Sequence, residues 1–251
     1  HLRKLDLSTN NNKLIVAGFY SDKDVYSIKG TFYYRLNLIN NDVELNNFSP
    51  LSAQYFTQLL EKQDSIKTTR QYQKGKLEDE HYIIQKLLNF DDGDLVILAE
   101  QIFIYSNYGS NMYYHFNFAA IKINANGDII WSTVIGKDNS KNGTPLFSLN
   151  KIFARSSIIN IVYNDNISNL NHRKGPLAMA FDYGTSFTLL KIKPDGQYSR
   201  QILLDENDLK NMLICPNFSN WVDNNTLLLV AQKPSNLKKI RFFKLHFNDI
   251  D

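Results

Sequence analysis

The chain has 251 residues, 43% hydrophobic and 13% aromatic, with a formal net charge of +3. That is enough apolar material for a proper core in one large or two small domains, and the small, dispersed basic excess argues against a nucleic-acid surface. A single cysteine, Cys215, excludes an intrachain disulfide and zinc sites built on cysteine sets.

No apolar run approaches the roughly 20 residues of a membrane helix, so no transmembrane segment is expected. The sequence opens at His1 without a methionine, which is compatible with a removed targeting segment. Asparagine is abundant, with runs at Asn10–Asn12 and Asn224–Asn225. With the Tyr and Ser/Thr content, this points to an exported bacterial β-protein, secreted or held in the cell envelope. The densest basic cluster, Lys233, Lys238, Lys239 and Arg241, reads as a solvated face, with an anionic partner as the alternative.

In chain order, the first apolar run is KLIVAGF (Lys13–Phe19), followed by YYRLNLI (Tyr33–Ile39). Ser49–Gln63 breaks the β pattern: Leu51, Tyr55, Leu59 and Leu60 stand at helical spacing, with Pro50 before them and Ser52 as a cap. This predicts one short amphipathic helix, over about 51–64, that covers a sheet edge. The polar stretch after it reads as a loop. Then come HYIIQKLLNF (His81–Phe90), DLVILAE (Asp94–Glu100), a long loop FIYSNYGSNMYYH (Phe103–His115), and FAAIKIN (Phe118–Asn124). A turn, NANGD, leads into IIWSTVI. The next group is LFSLNKIFA (Leu146–Ala154), IINIVYND (Ile158–Asp165), a long loop NISNLNHRKGPLA (Asn166–Ala178), TLLKIK (Thr188–Lys193) and PDGQYSRQILL (Pro194–Leu204). The last is NMLICPNF (Asn211–Phe218), TLLLVAQ (Thr226–Gln232) and FFKLHF (Phe242–Phe247).

These runs alternate with period two and are rich in β-branched and aromatic residues, which favours strand over helix. They repeat: Gly127 and Gly196 are 69 residues apart, and the Lys-Ile pairs at 122–123 and 191–192 share that offset. Four units result, about 1–50, 80–138, 145–205 and 210–251, each reading as strands a-b-c-d, except that the last stops after c. Repeats of roughly 60–80 residues exceed the usual blade of 40–50, the surplus lying in loops. The expectation is a single all-β, β-propeller-like domain over 1–251 with about four four-stranded blades. It is either a small four-bladed ring or part of a larger propeller completed by a longer chain or an assembly.

The strand-turn-strand INANGDIIW (Ile123–Trp131) resembles the blades of quinoprotein-like and kelch-like propellers, where a glycine turn leads into a strand carrying an aromatic residue. The wider string from HYIIQKLLNF to INIVYNDNISNL resembles a group of exported bacterial propeller proteins. The resemblance implies a propeller fold. It implies no cofactor site, because the tryptophan stands at its place in one unit only, with Tyr198 near it in the next. The Asp-box of sialidase-like propellers is not met: counting back from Trp131, Gly127 is one place early and Asn126 stands at the Asp position.

Candidate chemistry is sparse. Asn124, Asn126 and Asp128 alternate as oxygen donors but form too short a loop, with one carboxylate, for an EF-hand; the simpler reading is a β-turn with Asn-Gly supplying positive φ. Asp91–Asp94 likewise reads as a hairpin turn. No nucleophile elbow, P-loop, HExxH or GxGxxG occurs, and the histidines His1, His81, His115, His172 and His246 are scattered. Cys215, before Pro216, reads as a small buried hydrophobe. Glu100 and Asp165 each end a b strand; they are the rim carboxylates a glycosidase would need in a pair, or, more simply, acceptors for loop backbone at a strand end. Tyr105, Tyr108 and Tyr113 lie in and beside the first long b–c loop, where exposed aromatics suit a sugar or a protein partner. Alternatively, Tyr113, His115 and Asn117 alternate with buried Tyr114, Phe116 and Phe118 along a strand.

Two functions follow as expectations. The first is a noncatalytic exported binding or scaffold module that uses long blade loops on a protein or glycan partner. The second is a carbohydrate-active enzyme, a glycoside hydrolase or lyase, working through rim carboxylates. Neither calls for a metal or cofactor. Tyr105, Tyr108, Tyr113, Glu100 and Asp165 are the candidate binding residues.

Overall fold

The structure is a computed structural model that describes residues 5–6, 12–23, 26–90, 93–107, 110–139, 141–142, 147, 150–155, 157–171, 174, 177–181, 183–223 and 225–247. In chain order the strands are β1 (Leu5–Asp6), β2 (Lys13–Tyr20), β3 (Ser27–Ile28), β4 (Gly30–Asn37) and β5 (Val43–Pro50). Helices α1 (Ala53–Thr57) and α2 (Lys62–Gln73) follow, then β6 (Asp79–Glu80), β7 (Tyr82–Asn89), β8 (Leu95–Asn107), β9 (Ser110–Ile123), β10 (Ile129–Ile135) and β11 (Lys141–Asn142). Next come β12 (Asn150–Arg155), β13 (Ile158–Asn166), β14 (Thr185–Ile192) and β15 (Tyr198–Leu204). The last elements are helix α3 (Glu206–Leu209), β16 (Leu213–Ile214), β17 (Asn220–Trp221), β18 (Thr226–Lys233) and β19 (Asn236–His246).

The protein is all-β and propeller-like, built from four blade-type antiparallel sheets. Sheet 1 has the order β1-β2-β4-β5, sheet 2 β7-β8-β9-β10 and sheet 3 β12-β13-β14-β15; in sheet 4 both β16 and β17 pair with one side of β18 and β19 with the other. β16 and β17 are one strand interrupted by the 3-10 turn Pro216–Phe218. Pro216 has no N–H to offer β18. Ser219 mends the gap: its Oγ donates to Cys215 O at 3.1 Å and accepts from Val230 N at 3.1 Å.

The chain divides into two compact units. One is built within His1–Ile102 and Asn117–Gly136, the other within Phe103–Phe116, Lys137–His172 and Pro176–Asp251. In the first, alternate residues of sheets 1 and 2 form the core: Ala17, Phe19 and Tyr33 meet Leu95, Ile97, Ala99, Ala119 and Ile121. In the second, Val162, Phe187 and Leu189 of sheet 3 meet Ile214, Leu227, Leu229 and Ala231 of sheet 4. The b strands read as unbroken apolar runs because both faces are covered; Leu95–Glu100 and Ile159–Asn166 are buried throughout. The d strand β5 has one wet face and alternates accordingly.

The expected long loop at Phe103–His115 is mostly strand, since β8 runs on to Asn107 and β9 begins at Ser110. The expected helix forms as α1, with Ser52 Oγ accepting from Tyr55 N at 3.3 Å and Leu51 and Tyr55 buried. Gln58, just past it, donates through Nε2 to Ser132 O at 2.8 Å and accepts from Val134 N, so the amide covers the open edge of β10. A second helix, α2, occupies the polar stretch expected to be loop. It buries no residue and touches α1 through Tyr72 on Phe56, ring centroids 6.0 Å apart.

The hairpin tip Asn124–Asp128 is a turn. Asn124 Oδ1 accepts from Asn126 N and Asp128 N, both at 2.9 Å, and Gly127 has φ +83°. The tip also keys onto sheet 1: Asn47 Nδ2 donates to Asn126 O at 3.1 Å and Asp128 Oδ1 at 2.9 Å. A Cβ on Gly127 would lie 2.7 Å from Asn47 Cβ, so glycine is required by both backbone and neighbour. Asp94 of the other acidic turn pairs with Lys122 Nζ at 2.7 Å, while Asp91 and Asp92 lie outside the described residues.

A braced loop and its cleft in the second unit

β13 ends on three polar residues, Asn164, Asp165 and Asn166, all buried. Burying polar groups at a strand end is unfavourable unless each finds partners, and here each fastens a different segment. Asn164 Nδ2 donates to Phe147 O at 2.7 Å and Ile214 O at 2.8 Å, and its Oδ1 accepts from Ile214 N at 3.1 Å. Asn166 Nδ2 donates to Met179 O at 3.1 Å and Tyr183 O at 2.8 Å. Asn169 Nδ2 donates to Ala178 O at 2.8 Å, and its Oδ1 accepts from Ala178 N at 2.9 Å. The long b–c loop of sheet 3 is therefore cross-tied from its first turn to its last.

Asp165 stands at the root of this bracing. Its Oδ1 accepts from Asn166 N and Asn169 Nδ2, each at 2.8 Å, and its Oδ2 accepts from Tyr163 Oη at 2.9 Å. Arg200 of β15 closes the group: Nε lies 3.7 Å from Asp165 Oδ2 and donates to Tyr163 Oη at 3.2 Å, and Nη1 donates to Asn169 O at 3.1 Å. Lys137 Nζ sits 5.8 Å from the centroid of the Tyr163 ring. Burial pushes the Tyr163 phenol up, and the nearby Asp165 adds to it. Burial alone would lower Arg200, but Tyr163 and Asp165 outweigh it and raise it, so the guanidinium keeps its charge.

The second unit also carries a cleft of about 390 Å³. One wall is the end of the loop and the start of β14, with Phe181, Tyr183 and Thr185. The other is α3 and the chain after it, with Glu206, Leu209, Asn211, Met212 and Leu213, and Pro234 from the β18–β19 turn also lines the cleft. Tyr183 is 96% exposed, unusual for a tyrosine on a held loop. Gly184 joins the walls: its N–H donates to Glu206 Oε2 at 3.0 Å, and at φ +85° a Cβ there would lie 2.9 Å from Ile167 Cγ2. Asp205 fixes α3 with a capping box, its Oδ1 accepting from Asn207 N at 2.8 Å and Asp208 N at 3.1 Å. The cleft thus presents two aromatic rings, an apolar floor and a few polar groups, the composition of a ligand pocket at the small end of the usual range.

The residues singled out from sequence fall elsewhere. Tyr105, on β8, is 58% exposed, and Tyr113, on β9, is half-buried opposite Lys141 of β11. Tyr108 lies outside the described residues. Along β9 it is His115 that is buried, while Tyr114 and Phe116 are half-buried and stacked at 5.9 Å. Glu100 is fully buried in the first unit, and Asp165 is fully engaged in the second. Cys215 is buried, with its thiol pushed up to about 11 by burial. Among the described residues no group of three or more His, Cys, Asp or Glu side chains could hold a metal ion, and no helix is long and apolar enough to cross a membrane.

No protein-family model matches the chain, and no curated protein matches it. Among solved structures it is similar to the β-propeller domain of the Trilobed protease from Pyrococcus furiosus, at 9% identity and a TM-score of 0.38, covering 98% of this chain and 54% of that one. It is also similar to levansucrase from B. megaterium, at 9% identity and TM-score 0.34, covering 95% and 63%. A third is exo-β-1,3-galactanase from Phanerochaete chrysosporium, at 10% identity and TM-score 0.27, covering 97% and 60%. This chain therefore spans between 54% and 63% of the length of those structures.

Proposed function

We propose that the protein is a noncatalytic binding module, exported to the cell envelope or beyond, that holds a protein or glycan ligand in the cleft beside the third sheet's b–c loop. The observation that carries this reading is the pairing of a fully exposed Tyr183 with a loop whose base is cross-tied by buried side chains. An aromatic side chain carried on a braced loop backbone offers contact area without the cost of ordering the loop. One carboxylate, Glu206, lines the cleft, and it already accepts from Gly184 N. Acid-base cleavage of a glycoside needs a pair of carboxyl groups about 5–10 Å apart. Asp165 gives the rim-carboxylate alternative no support, because Oδ1 is taken by Asn166 N and Asn169 Nδ2 of the loop and Oδ2 by Tyr163 Oη.

Wild type and Tyr183→Ala are to be compared on glycan and peptide arrays, with thermal unfolding as the control for folding. The expected result is binding by wild type to a restricted set of probes, weakened at least about tenfold in the variant. Equal binding by the two proteins removes the cleft from the account.

A further inference from the structure

Another hollow of the second unit, of about 490 Å³, is lined by Phe153, Ala154, Arg155, Trp221, Val222 and Asp223. Arg155 pairs with Ile158 at the start of β13, and Trp221 with Leu227 at the start of β18. The Tyr183 cleft lies at the other end of those strands, beside Asn166 and Pro234. The two sites are therefore separate.

One guanidinium organises the hollow. The central carbon of Arg155 lies 5.0 Å from the centroid of the Trp221 ring and 5.9 Å from those of Phe153 and Phe247. The three rings pack on one another at 4.9 to 5.6 Å, and Phe153 and Phe247 are buried, so the platform under the cation is fixed. Arg155 Nη1 donates to Asn225 Oδ1 at 3.2 Å. Stacking and this bond together set the plane of the guanidinium.

Its charge is not answered as elsewhere in the chain. Arg35 is met by Glu44 and Arg200 by Asp165. Among the described residues no carboxylate pairs with Arg155. Asp223, in the same hollow, serves its own turn: its Oδ1 accepts from Asn225 N at 2.8 Å, and that bond holds the carboxyl below its ordinary 3.8. Arg155 thus keeps N–H donors for a ligand, in a fork that matches a carboxylate. A phosphate would set about two negative charges near Asp223, where a carboxylate sets one. Phe153, Ala154 and Val222 add apolar surface for C–H groups, and Asp223 and Asn225 can bond to hydroxyls.

We propose that this hollow is a binding subsite for a uronate, an acidic sugar whose carboxylate takes the Arg155 fork and whose hydroxyls bond to Asp223 and Asn225. A run of Asp or Glu in a peptide would press further carboxylates on Asp223, whereas sugar hydroxyls can donate to it.

D-glucuronate is the probe, titrated into isotope-labelled protein and followed by NMR at the Trp221 indole and the Arg155 and Val222 amides. D-glucose, acetate and inorganic phosphate are the comparison ligands. The expected result is saturable shifts with glucuronate, and binding at least about tenfold weaker for each of the others, which lack the charge, the hydroxyls or the single charge. Arg155→Lys keeps a cation but loses the fork, and should weaken glucuronate about tenfold, with thermal unfolding as the control. Acetate or phosphate binding as tightly as glucuronate would reduce the hollow to a simple anion site, and equal binding of glucose would make the guanidinium irrelevant; either overturns the proposal, whatever the variant does. Shifts confined to Tyr183 and Thr185 would move the sugar to the other cleft and overturn it as well, while leaving the reading of that cleft intact.

Discussion

Arg200 Nε lies 3.7 Å from Asp165 Oδ2, and neither side chain exposes more than 2% of its surface. A buried ion pair of this kind contributes little net stability over an apolar pair, but loss of one partner strands the other charge. Asp165→Ala should therefore cost about 3–5 kcal/mol by urea unfolding. Amide exchange should accelerate across Asn166–Gly184 beyond the global change, because Asn169 and Asn166 lose their shared anchor. Unchanged stability in that variant contradicts the assigned role.

Gly93 and Gly127 form a matched pair. Both have φ +83°, but a Cβ on Gly93 would meet only Ala125 Cβ at 3.5 Å, whereas on Gly127 it would meet Asn47 Cβ at 2.7 Å. Gly93→Ala should cost about 1 kcal/mol for the left-handed backbone alone. Gly127→Ala should cost about 1–3 kcal/mol more, since the tip must leave β5. Equal losses in chemical denaturation would show that the tip does not key onto sheet 1.

The fold was largely legible because propeller-type sheets write themselves as apolar runs and glycine turns. Leu95–Ala99 and Ile159–Tyr163 are readable as central strands since both faces are covered, and the Gly127 and Gly196 turns mark the c–d hairpins. Helix α2 was hidden because it buries nothing and so shows no apolar periodicity. The cleft was hidden for another reason: Phe181–Thr185 and Glu206–Leu213 are distant in sequence and meet only when β14 and β15 are laid side by side. The one available signal was the Asp205–Asp208 capping pattern before Leu209, which marks α3. The role of Asp165 as a strand-end hydrogen-bond acceptor was legible from its position, though not its ion pair with Arg200.

Asp79 gives a pH signature. Burial pushes its carboxyl up to about 6 from the ordinary 3.8, against the opposing pull of the hydrogen bond that Glu80 N–H donates to Oδ1. A carboxyl raised in the folded state binds its proton more tightly there than in the unfolded chain. The stability this confers is full below about pH 4 and is lost as pH rises through 6, an effect on the order of 3 kcal/mol. Asp79→Asn should flatten that slope, so the variant gains on wild type at pH 7.5 relative to pH 4. Parallel stability-pH curves for the two proteins would contradict this.

Cys215, buried with its thiol pushed up to about 11 and its Sγ 3.5 Å from Gln232 Oε1, should resist thiol reagents at pH 8 in the folded protein. Labelling should follow the rate of unfolding in denaturant. Fast labelling of the native protein would place the thiol at the surface.

The most direct test of the binding reading is titration calorimetry with the strongest array probe, followed by mass spectrometry of the recovered probe. The account predicts saturable binding by wild type, loss of at least about tenfold in affinity for Tyr183→Ala, and a probe recovered intact. A cleaved probe, or a Tyr183→Ala isotherm that overlays wild type, would contradict it.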